Sequence, residues 1–331
     1  MRGAAAWVLM VCCAATEAHA QDTPAPGKEE KPPLIDRTQR GVYDGVWRSA
    51  MRIDRMFGSD FDETPYRRVT GSVAPALLWN EFDGFKPRLR FFVDLPLPQL
   101  NDRFQAFVGR VNPDEYITER SEPSGAFRRQ YGPAEDEETL LGISYRQPPH
   151  QGGRFDVGGG VRLRFPLDPY VKGSYVYELG ASERGLLSLR QTVFWRNAEK
   201  AGVTSRADLE RIFGLAWLVR GTISGTFSQR SDGLKGYTSV MAIHGMPHRR
   251  ALAFAVGLDG ATDAPVPLHE FGLKAAYRRS ISRDWLIMEL RTSLTWPKEE
   301  VDQPRKPSWG AGIGFEMFFG TDEFLARPVT F

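Results

Sequence analysis

The sequence predicts an all-β protein: a transmembrane, antiparallel, up-and-down β-barrel of about 14 strands, with a short periplasmic helix ahead of the first strand. Three observations predict this fold. The chain begins with an export signal, apolar and polar residues alternate from residue 68 to residue 320, and most alternating segments match the length of a tilted bilayer crossing. Strands of soluble proteins are shorter, at about five or six residues.

Residues 1–20 are typical of a cleaved signal peptide. Met1 and Arg2 provide a basic start, an apolar stretch follows, and Ala18-His19-Ala20 matches a small-residue cleavage site. The apolar stretch is shorter than the roughly 20 residues that a spanning helix needs. We therefore expect export through the Sec pathway and removal of this segment.

The bulk composition excludes several classes of protein. The 331-residue chain has a net charge of only +2 and a mean hydropathy of −0.37, so we expect neither a nucleic-acid partner nor a bundle of membrane helices. Both cysteines, Cys12 and Cys13, lie within the signal peptide. The mature chain therefore offers no disulfide, no thiolate metal site and no cysteine nucleophile.

Two segments precede the predicted barrel, which we place at 68–320. Residues 21–37 are polar and rich in proline, which predicts a disordered leader. Residues 38–60 carry apolar side chains at spacings of three and four, which predicts an amphipathic helix. We expect this helix at the periplasmic rim, with a plug in the lumen as the alternative, and residues 21–58 as the surface for a candidate periplasmic partner.

The alternation is clearest in residues 285–296. One face carries Leu286, Met288, Leu290, Leu294 and Trp296. The other face carries Glu289, Arg291, Ser293 and Thr295. A strand separates these two sets, whereas a helix would mix them.

The same pattern recurs along the chain and defines the predicted strands. We expect strands near 68–79, 87–96, 102–111, 139–147, 153–165, 169–180, 185–196, 202–211, 216–228, 236–245, 250–259, 267–279, 284–297 and 308–320. The least certain are the first, which contains Pro75, and the pair 202–211 and 216–228. If one pair is wrong, the barrel has about 12 strands.

The connections between these strands predict the orientation of the barrel. An even number of strands places both ends in the periplasm, with short periplasmic turns and longer extracellular loops. The long connections 112–138, 260–266 and 298–307 all fall on the extracellular side. One short connection, Pro166-Leu167-Asp168, falls on that side too and argues against this register.

Two segments near the end of the chain resemble known proteins. Residues 283–290 (RDWLIMEL) and 308–316 (SWGAGIGFE) are similar to the C-terminal part of a group of uncharacterised proteobacterial outer-membrane proteins. The resemblance implies a barrel in the outer membrane of a Gram-negative bacterium, in contact with outer-membrane lipid and lipopolysaccharide. It implies no activity and no functional residues.

The last residue, Phe331, resembles the terminal aromatic signal that the barrel assembly machinery reads in outer-membrane proteins. Pro328 interrupts the alternation that this signal expects. We therefore expect the last strand to end near residue 320, with residues 321–331 as a periplasmic tail.

Charged residues on the polar faces of the strands are expected to line the lumen, because charges facing lipid are costly. The basic lining residues are Arg88, Arg90, Arg162, Arg164, Lys172, Arg190, Arg220, Lys274, Arg278 and Arg291, with Arg103, Arg146 and Arg206 in addition. The acidic ones are Asp94, Asp156, Glu178, Asp208, Glu289 and Glu316, with Glu210 in addition. Bases outnumber acids, which predicts a positive interior that favours anions in a water-filled pore. In the alternative, the charges pair across strands and fill the barrel.

No catalytic or metal-binding constellation is recognisable in the sequence, and we expect no cofactor. His269 beside Glu270 has the composition of a dyad, but such a pair is typical of an exposed loop. The acidic run 135–138 is expected to be a solvated loop, because it lacks the ligand spacing of a calcium loop. Gly310, Gly312 and Gly314 face inward and are expected to allow curvature and bulky neighbours, with a ligand groove as the alternative.

The function that fits these features is a channel or uptake pore for small polar or anionic solutes, and not an enzyme. A non-conducting structural or adaptor barrel is the alternative. A lipid-modifying outer-membrane enzyme is the third and least favoured reading, because no nucleophile or acid pair accompanies a histidine in the sequence.

Overall fold

The computed structural model describes most of the chain between residues 69 and 320. The described residues are 36, 39, 69–81, 84–97, 100, 103–119, 137–147, 153–182, 184–214, 216–231, 233–298 and 300–320. The chain divides into two units, 1–37 and 38–331, and the description below concerns the second. The predicted signal peptide, the leader, the amphipathic helix 38–60 (except Gln39) and the tail 321–331 lie outside the described residues and stay predictions.

The described residues form one closed antiparallel barrel of fourteen strands in up-and-down order, in which β1 pairs with β14. The strands are β1 (Thr70–Asn80), β2 (Gly84–Pro96), β3 (Phe104–Val111), β4 (Glu138–Arg146), β5 (Gly153–Arg162), β6 (Asp168–Ser182), β7 (Gly185–Arg196), β8 (Lys200–Phe213), β9 (Trp217–Ser228), β10 (Lys235–Met246), β11 (Arg250–Ala261), β12 (Leu268–Ile281), β13 (Arg283–Pro297) and β14 (Ser308–Phe319). A short helix, α1 (Pro113–Thr118), lies between β3 and β4. The predicted fold and the strand count of fourteen are confirmed, and the alternative of twelve is excluded.

The first strand, β1, contains Pro75, and its pairing shows how a proline is accommodated within a strand of the barrel. Val73 and Ala76 pair with Met317 and Gly314 of β14, while Ala74 and Pro75 between them have no partner on that strand. Proline lacks the N–H that a ladder needs. On its other edge Pro75 pairs in register with Leu89 of β2, so β1 continues through it.

The connections alternate between two rims of the barrel. One, here called the loop rim, carries the connections 81–83, 112–137, 163–167, 197–199, 229–234, 262–267 and 298–307. The other, the turn rim, carries 97–103, 147–152, 183–184, 214–216, 247–249 and residue 282, together with both ends of the barrel. The three long connections predicted on one side share the loop rim. The connection 163–167 is short but also lies there, so it does not contradict the register.

The barrel reverses the arrangement of a soluble protein. Large apolar side chains face outward, with Val193, Ile223 and Leu209 61%, 60% and 58% exposed. The alternate residues face the interior, where Thr192 and Thr204 are fully buried. An apolar outer surface around a polar interior is typical of barrels whose backbone groups must all be paired within lipid.

None of the helices in the described part of the chain has the length and apolar character needed to cross a membrane.

Candidate functional site

The interior of the barrel contains α1, which is the start of the long connection between β3 and β4. Asn112 caps the helix, since its side-chain oxygen accepts hydrogen bonds of 2.9 and 3.3 Å from the main-chain N–H groups of Asp114 and Glu115. Pro113 occupies the first turn, where its missing N–H costs nothing. The helix ends at Glu119, whose φ of 52° is left-handed. This geometry directs Glu119 away from the helix and against the inner wall.

Apolar contacts hold α1 inside the lumen. The ring of Tyr116 lies 5.0 Å from that of Phe107, 6.2 Å from that of Phe92 and 6.5 Å from that of Tyr170, measured between ring centres. Ile117 is fully buried in the same cluster. These partners all face inward from β2, β3 and β6, so α1 packs on a small apolar core within the barrel.

The rings of that inner wall lie over glycines of the neighbouring strand. A Cβ atom on Gly142 would lie 2.8 Å from the ring of Phe107, and one on Gly109 would lie 2.5 Å from the ring of Phe92. Any larger residue would displace these rings. The glycines therefore permit the flat aromatic surface on which Tyr116 rests.

Glu119 is the most densely bonded side chain of the interior. It accepts hydrogen bonds of 2.8 Å from Lys172 and 2.6 Å from Arg190. Ser174 and Thr192 add hydroxyl hydrogen bonds of 2.7 and 3.0 Å. Burial opposes ionisation of the carboxyl, but the two adjacent cations outweigh it and hold the pKa of Glu119 well below its ordinary value.

A second set of ion pairs connects α1 to the loop rim. Arg196 at the end of β7 binds Asp114 of α1 and, at 2.7 Å, Glu199 in the next connection. Lys235 of β10 binds the same Glu199 at 2.8 Å. Burial raises the pKa of Glu199, but the hydrogen bonds from Lys235 and Arg196 lower it further, so the net shift is downward. Polar contacts thus link α1 and Glu119 directly to β6 and β7, and through Glu199 to β10.

The far end of the same long connection also turns inward. Glu137 is 6% exposed and binds both Arg88, with a hydrogen bond of 2.6 Å, and Arg90. Glu138 binds Arg162 at 2.6 Å and Arg164 at 3.4 Å. The expectation that the run 135–138 is a solvated loop is therefore wrong for Glu137 and Glu138. Residues 135 and 136 lie outside the described residues.

The other predicted lining residues form pairs around the wall. Asp156 binds Arg146 and Arg154 at 3.5 and 3.1 Å, and Asp208 binds Arg206 at 2.7 Å. Arg220 binds Glu210 at 2.5 Å.

On the other side of the barrel, Arg278 binds Glu289 at 3.1 Å and Glu316 at 2.6 Å, and Arg291 also binds Glu289. Asp94 and Lys274 face inward and are half-buried, whereas Glu178 is exposed near the turn rim. Arg103 instead donates a hydrogen bond of 3.1 Å to the outward-facing Tyr145.

The interior charge is thus far more balanced than the strand pattern predicted. The acidic partners that strand alternation did not reveal are Asp114, Glu119, Glu137, Glu138, Asp168 and Glu199. They lie in connections or at strand ends, where period two gives no information. One signal for α1 was available: Asn112-Pro113 followed by two acidic residues is typical of a helix start.

Two sides of the inner wall differ in how much space they leave. The side that carries α1 is filled by its contacts and by ion pairs. The opposite side, from β11 through β14 to β1, has mostly small inward residues. Ala251, Ala253 and Ala276 are buried in a cluster with Ile243, and Gly310, Gly312 and Gly314 lie against Ser293, Leu78 and Arg291. Two solvent-open pockets lie over the remaining small residues. One is lined by Ala255, Gly257, Gly272 and Lys274, and the other, at the border with the α1 side, by Ala74, Ala76, Arg88 and Phe92.

The histidines that were considered for catalysis lie apart from one another. His244 faces outward and stacks on Trp217, with ring centres 4.6 Å apart. His248 lies in a turn, 3.3 Å from Arg250. His269 lies 3.9 Å from Asp259. His150 lies outside the described residues, and within the described ones no three or more His, Cys, Asp or Glu residues are grouped as a metal site would require.

Comparison with known proteins shows similarity to solved outer-membrane proteins. No family model and no curated protein matches the chain. The chain is similar to an anion-selective porin from Comamonas acidovorans, with 13% identity and a TM-score of 0.44 over 76% of this chain and 98% of that one. It is also similar to the outer-membrane protein opdK from Pseudomonas aeruginosa, with 8% identity and a TM-score of 0.45 over 76% and 98%. Similarity at this level transfers neither a solute nor a selectivity to this chain.

Proposed function

We propose that this protein is a channel of the bacterial outer membrane that passes small polar solutes through a lumen narrowed by α1. The observation that carries the proposal is the asymmetry of the inner wall. One side is filled by α1 and its ion pairs, whereas alanine, glycine and serine residues of β1, β11 and β12 line two solvent-open pockets, one of which borders the α1 side. In a barrel that is only structural we expect the space above Ala74, Ala76 and Gly257 to be filled by larger side chains, because filled interiors are more stable.

The outer-membrane location follows from the two surfaces of the barrel. Its outward side chains are large and apolar, and a closed barrel pairs every strand edge, as lipid requires. We propose that the loop rim faces outward from the cell and that the turn rim, with both barrel ends, faces the periplasm. Sec export, signal cleavage and contact with lipopolysaccharide belong to the same proposal.

Small anions are the charged solutes that this interior favours. The pocket beside β1 is lined by Arg88, Arg90 and Arg291, with Glu316 as the acidic residue among its described lining side chains. These arginines are themselves paired with Glu137 and Glu289, as most interior charges are, which predicts a modest preference for anions rather than exclusion of cations.

Conductance of the purified mature protein in a planar bilayer tests the proposal. Ala76→Trp places a large ring in the open side of the lumen and is expected to reduce the conductance of each step. Leu77→Trp is the matched control, because Leu77 is 45% exposed on the outer surface. Discrete steps that shrink only with Ala76→Trp support the channel. A folded barrel, recognised by heat-modifiable gel mobility, that passes no current contradicts it.

A structural or adaptor barrel is the second candidate, favoured by the dense ion pairs that tie α1 to the wall. It predicts no current from the folded protein. It also predicts a periplasmic partner that crosslinks through residues 21–58, and that is lost when this segment is deleted.

A further inference from the structure

We propose that the cavity beside Arg88, Arg90 and Arg291 is a binding subsite for an oxyanion group, a carboxylate or a phosphate, of a small solute. Its role in transport rests on the proposed channel function. The binding itself depends only on the geometry of the inner wall, so the two claims can fail separately.

The floor of the cavity is made of small side chains. Ser72, Ala74 and Ala76 of β1 line it, and it is open to the lumen. Gly314 of β14 is the partner of Ala76 across the β1–β14 seam. The short side chains of these residues lie between the longer side chains of β2 and β13. This difference in length leaves room for a solute group.

Arg88 and Arg90 approach the cavity from β2. The Nη2 atom of Arg88 lies 2.5 Å from Oε1 of Glu137, and the guanidinium of Arg90 binds the same oxygen atom. The side chain of Arg88 is only 3% exposed, and its Nη1 atom is buried without a hydrogen-bond acceptor, as Oε2 of Glu137 is without a donor. A buried N–H without an acceptor is costly, so an oxyanion toward which the Arg88 guanidinium turns would satisfy a group that the protein leaves unsatisfied.

Arg291 approaches from the opposite side. A Cβ atom on Gly314 would lie 3.1 Å from its Nη2 atom and 3.2 Å from Cβ of Ala76, so this guanidinium extends across β14 toward the floor of the cavity. Glu316 also lines the cavity, but it accepts a hydrogen bond of 2.6 Å from Arg278. Among the described lining residues, the carboxylate of Glu316 is thus engaged by a cation from β12.

The chemistry of these groups suits oxyanions better than simple anions. Guanidinium groups bind carboxylate and phosphate with two parallel hydrogen bonds, a geometry that a halide cannot match. Glu137 and Glu289 already hold the arginines in place, so little side-chain freedom is lost when an anion binds. The same carboxylates weaken the attraction, as a site on a transport path requires, because a solute must also leave.

Titration calorimetry on the folded mature protein in detergent tests the subsite, with acetate and inorganic phosphate as probes. Arg88→Gln is expected to lower the affinity for the anions roughly tenfold, the effect of losing one charge-assisted hydrogen bond. Arg154→Gln is the matched control, because Arg154 is an inward arginine that binds Asp156 and does not line the cavity. It is expected to leave the affinity unchanged.

Ala76→Leu is a second variant, which fills the cavity without removing a charge. It keeps the proposal testable if Arg88→Gln fails to fold.

Binding that weakens in both cavity variants, but not in the control, supports the subsite. No binding, or binding that neither cavity variant changes, overturns it even if the barrel conducts. Binding without current overturns the channel and leaves the subsite standing. Acetate bound without phosphate restricts the solute to carboxylates, and the converse restricts it to phosphates.

Discussion

Lys172 and Glu119 form the contact that fixes α1 in the lumen. The ammonium group of Lys172 donates hydrogen bonds of 2.8 Å to the Glu119 carboxylate and 2.8 Å to the main-chain oxygen of Tyr116. It also lies 4.2 Å from the centre of the Tyr116 ring. One side chain of β6 therefore holds the last turn of α1 and its acidic end, and α1 cannot leave the wall without breaking all three contacts.

Lys172→Met is expected to loosen α1 while preserving the apolar part of the side chain. The lost charge-assisted hydrogen bonds should lower the free energy of unfolding by about 2 kcal/mol and increase the fluctuations of the open-channel current. Lys274→Met is the control, since Lys274 lies on the side of the lumen away from α1. Equal current noise in the two variants would contradict the role of Lys172.

Glu119→Gln removes a buried carboxylate and leaves two cations facing each other. Breaking a buried ion pair on one side costs about 3 to 5 kcal/mol, so a large loss in the free energy of unfolding is expected. Asp114→Asn is the comparison, because the side chain of Asp114 is 65% exposed and exposed pairs contribute less than about 1 kcal/mol. Denaturant titration in detergent measures both. Similar losses for the two variants would show that Glu119 does not have the buried role assigned to it.

The depressed pKa of Glu119 predicts a dependence of stability on pH. A carboxyl whose pKa is lower in the folded than in the unfolded state stabilises the fold above its unfolded pKa, here about 4.5. That contribution is lost as the pH falls from this value toward the folded pKa. The free energy of unfolding should therefore decrease below about pH 4.5, and more steeply in the natural protein than in Glu119→Gln. Parallel pH profiles of the two proteins would refute this.

Thr204 and Thr226 offer a test of the polar interior away from α1. Their hydroxyl oxygens lie 2.9 Å apart between β8 and β9, and the two residues are 0% and 2% exposed. Thr204→Val should cost about 1 to 3 kcal/mol, because it leaves the hydroxyl of Thr226 buried without a partner. The double variant Thr204→Val/Thr226→Val should recover most of that loss. A double-mutant cycle of unfolding free energies measures the coupling, and strict additivity would contradict a paired interior.

The strand pattern could be predicted almost completely from the sequence. The weak segments around Pro75 and at 202–211 are strands, as predicted, because alternation over a whole crossing outweighs one unfavourable residue. The inward orientation of Arg291 and Glu289 could also be predicted from the sequence, since a strand sends alternate residues to opposite faces. Both results depend only on local geometry and on the cost of charge in lipid.

The candidate site could not be predicted in the same way. Glu119 lies 53 residues from Lys172 and 71 from Arg190 along the chain, and Glu137 lies 49 from Arg88. The periodicity of a sequence gives no information on contacts between residues so far apart. Without other information, an acidic residue in a long connection is predicted to be exposed to solvent. The balance of interior charge was therefore misjudged, because the missing carboxylates come from a connection that turns inward.

By itself, the sequence determined the alternation, a count of about fourteen crossings and the side of the barrel on which most strand residues lie. Arg103 and Arg164 are exceptions, because both lie outside the strands. The tertiary structure alone decided that the connection after β3 enters the lumen, that Glu119 and Glu137 neutralise arginines there, and that the space remaining lies beside β1 and β14. The physical reason is that the backbone of a strand sends successive side chains to opposite faces, so the face of a residue follows from its immediate neighbours. The course of a loop depends on the summed burial of Tyr116 and Ile117 and on pairing with cations that only the closed barrel brings together.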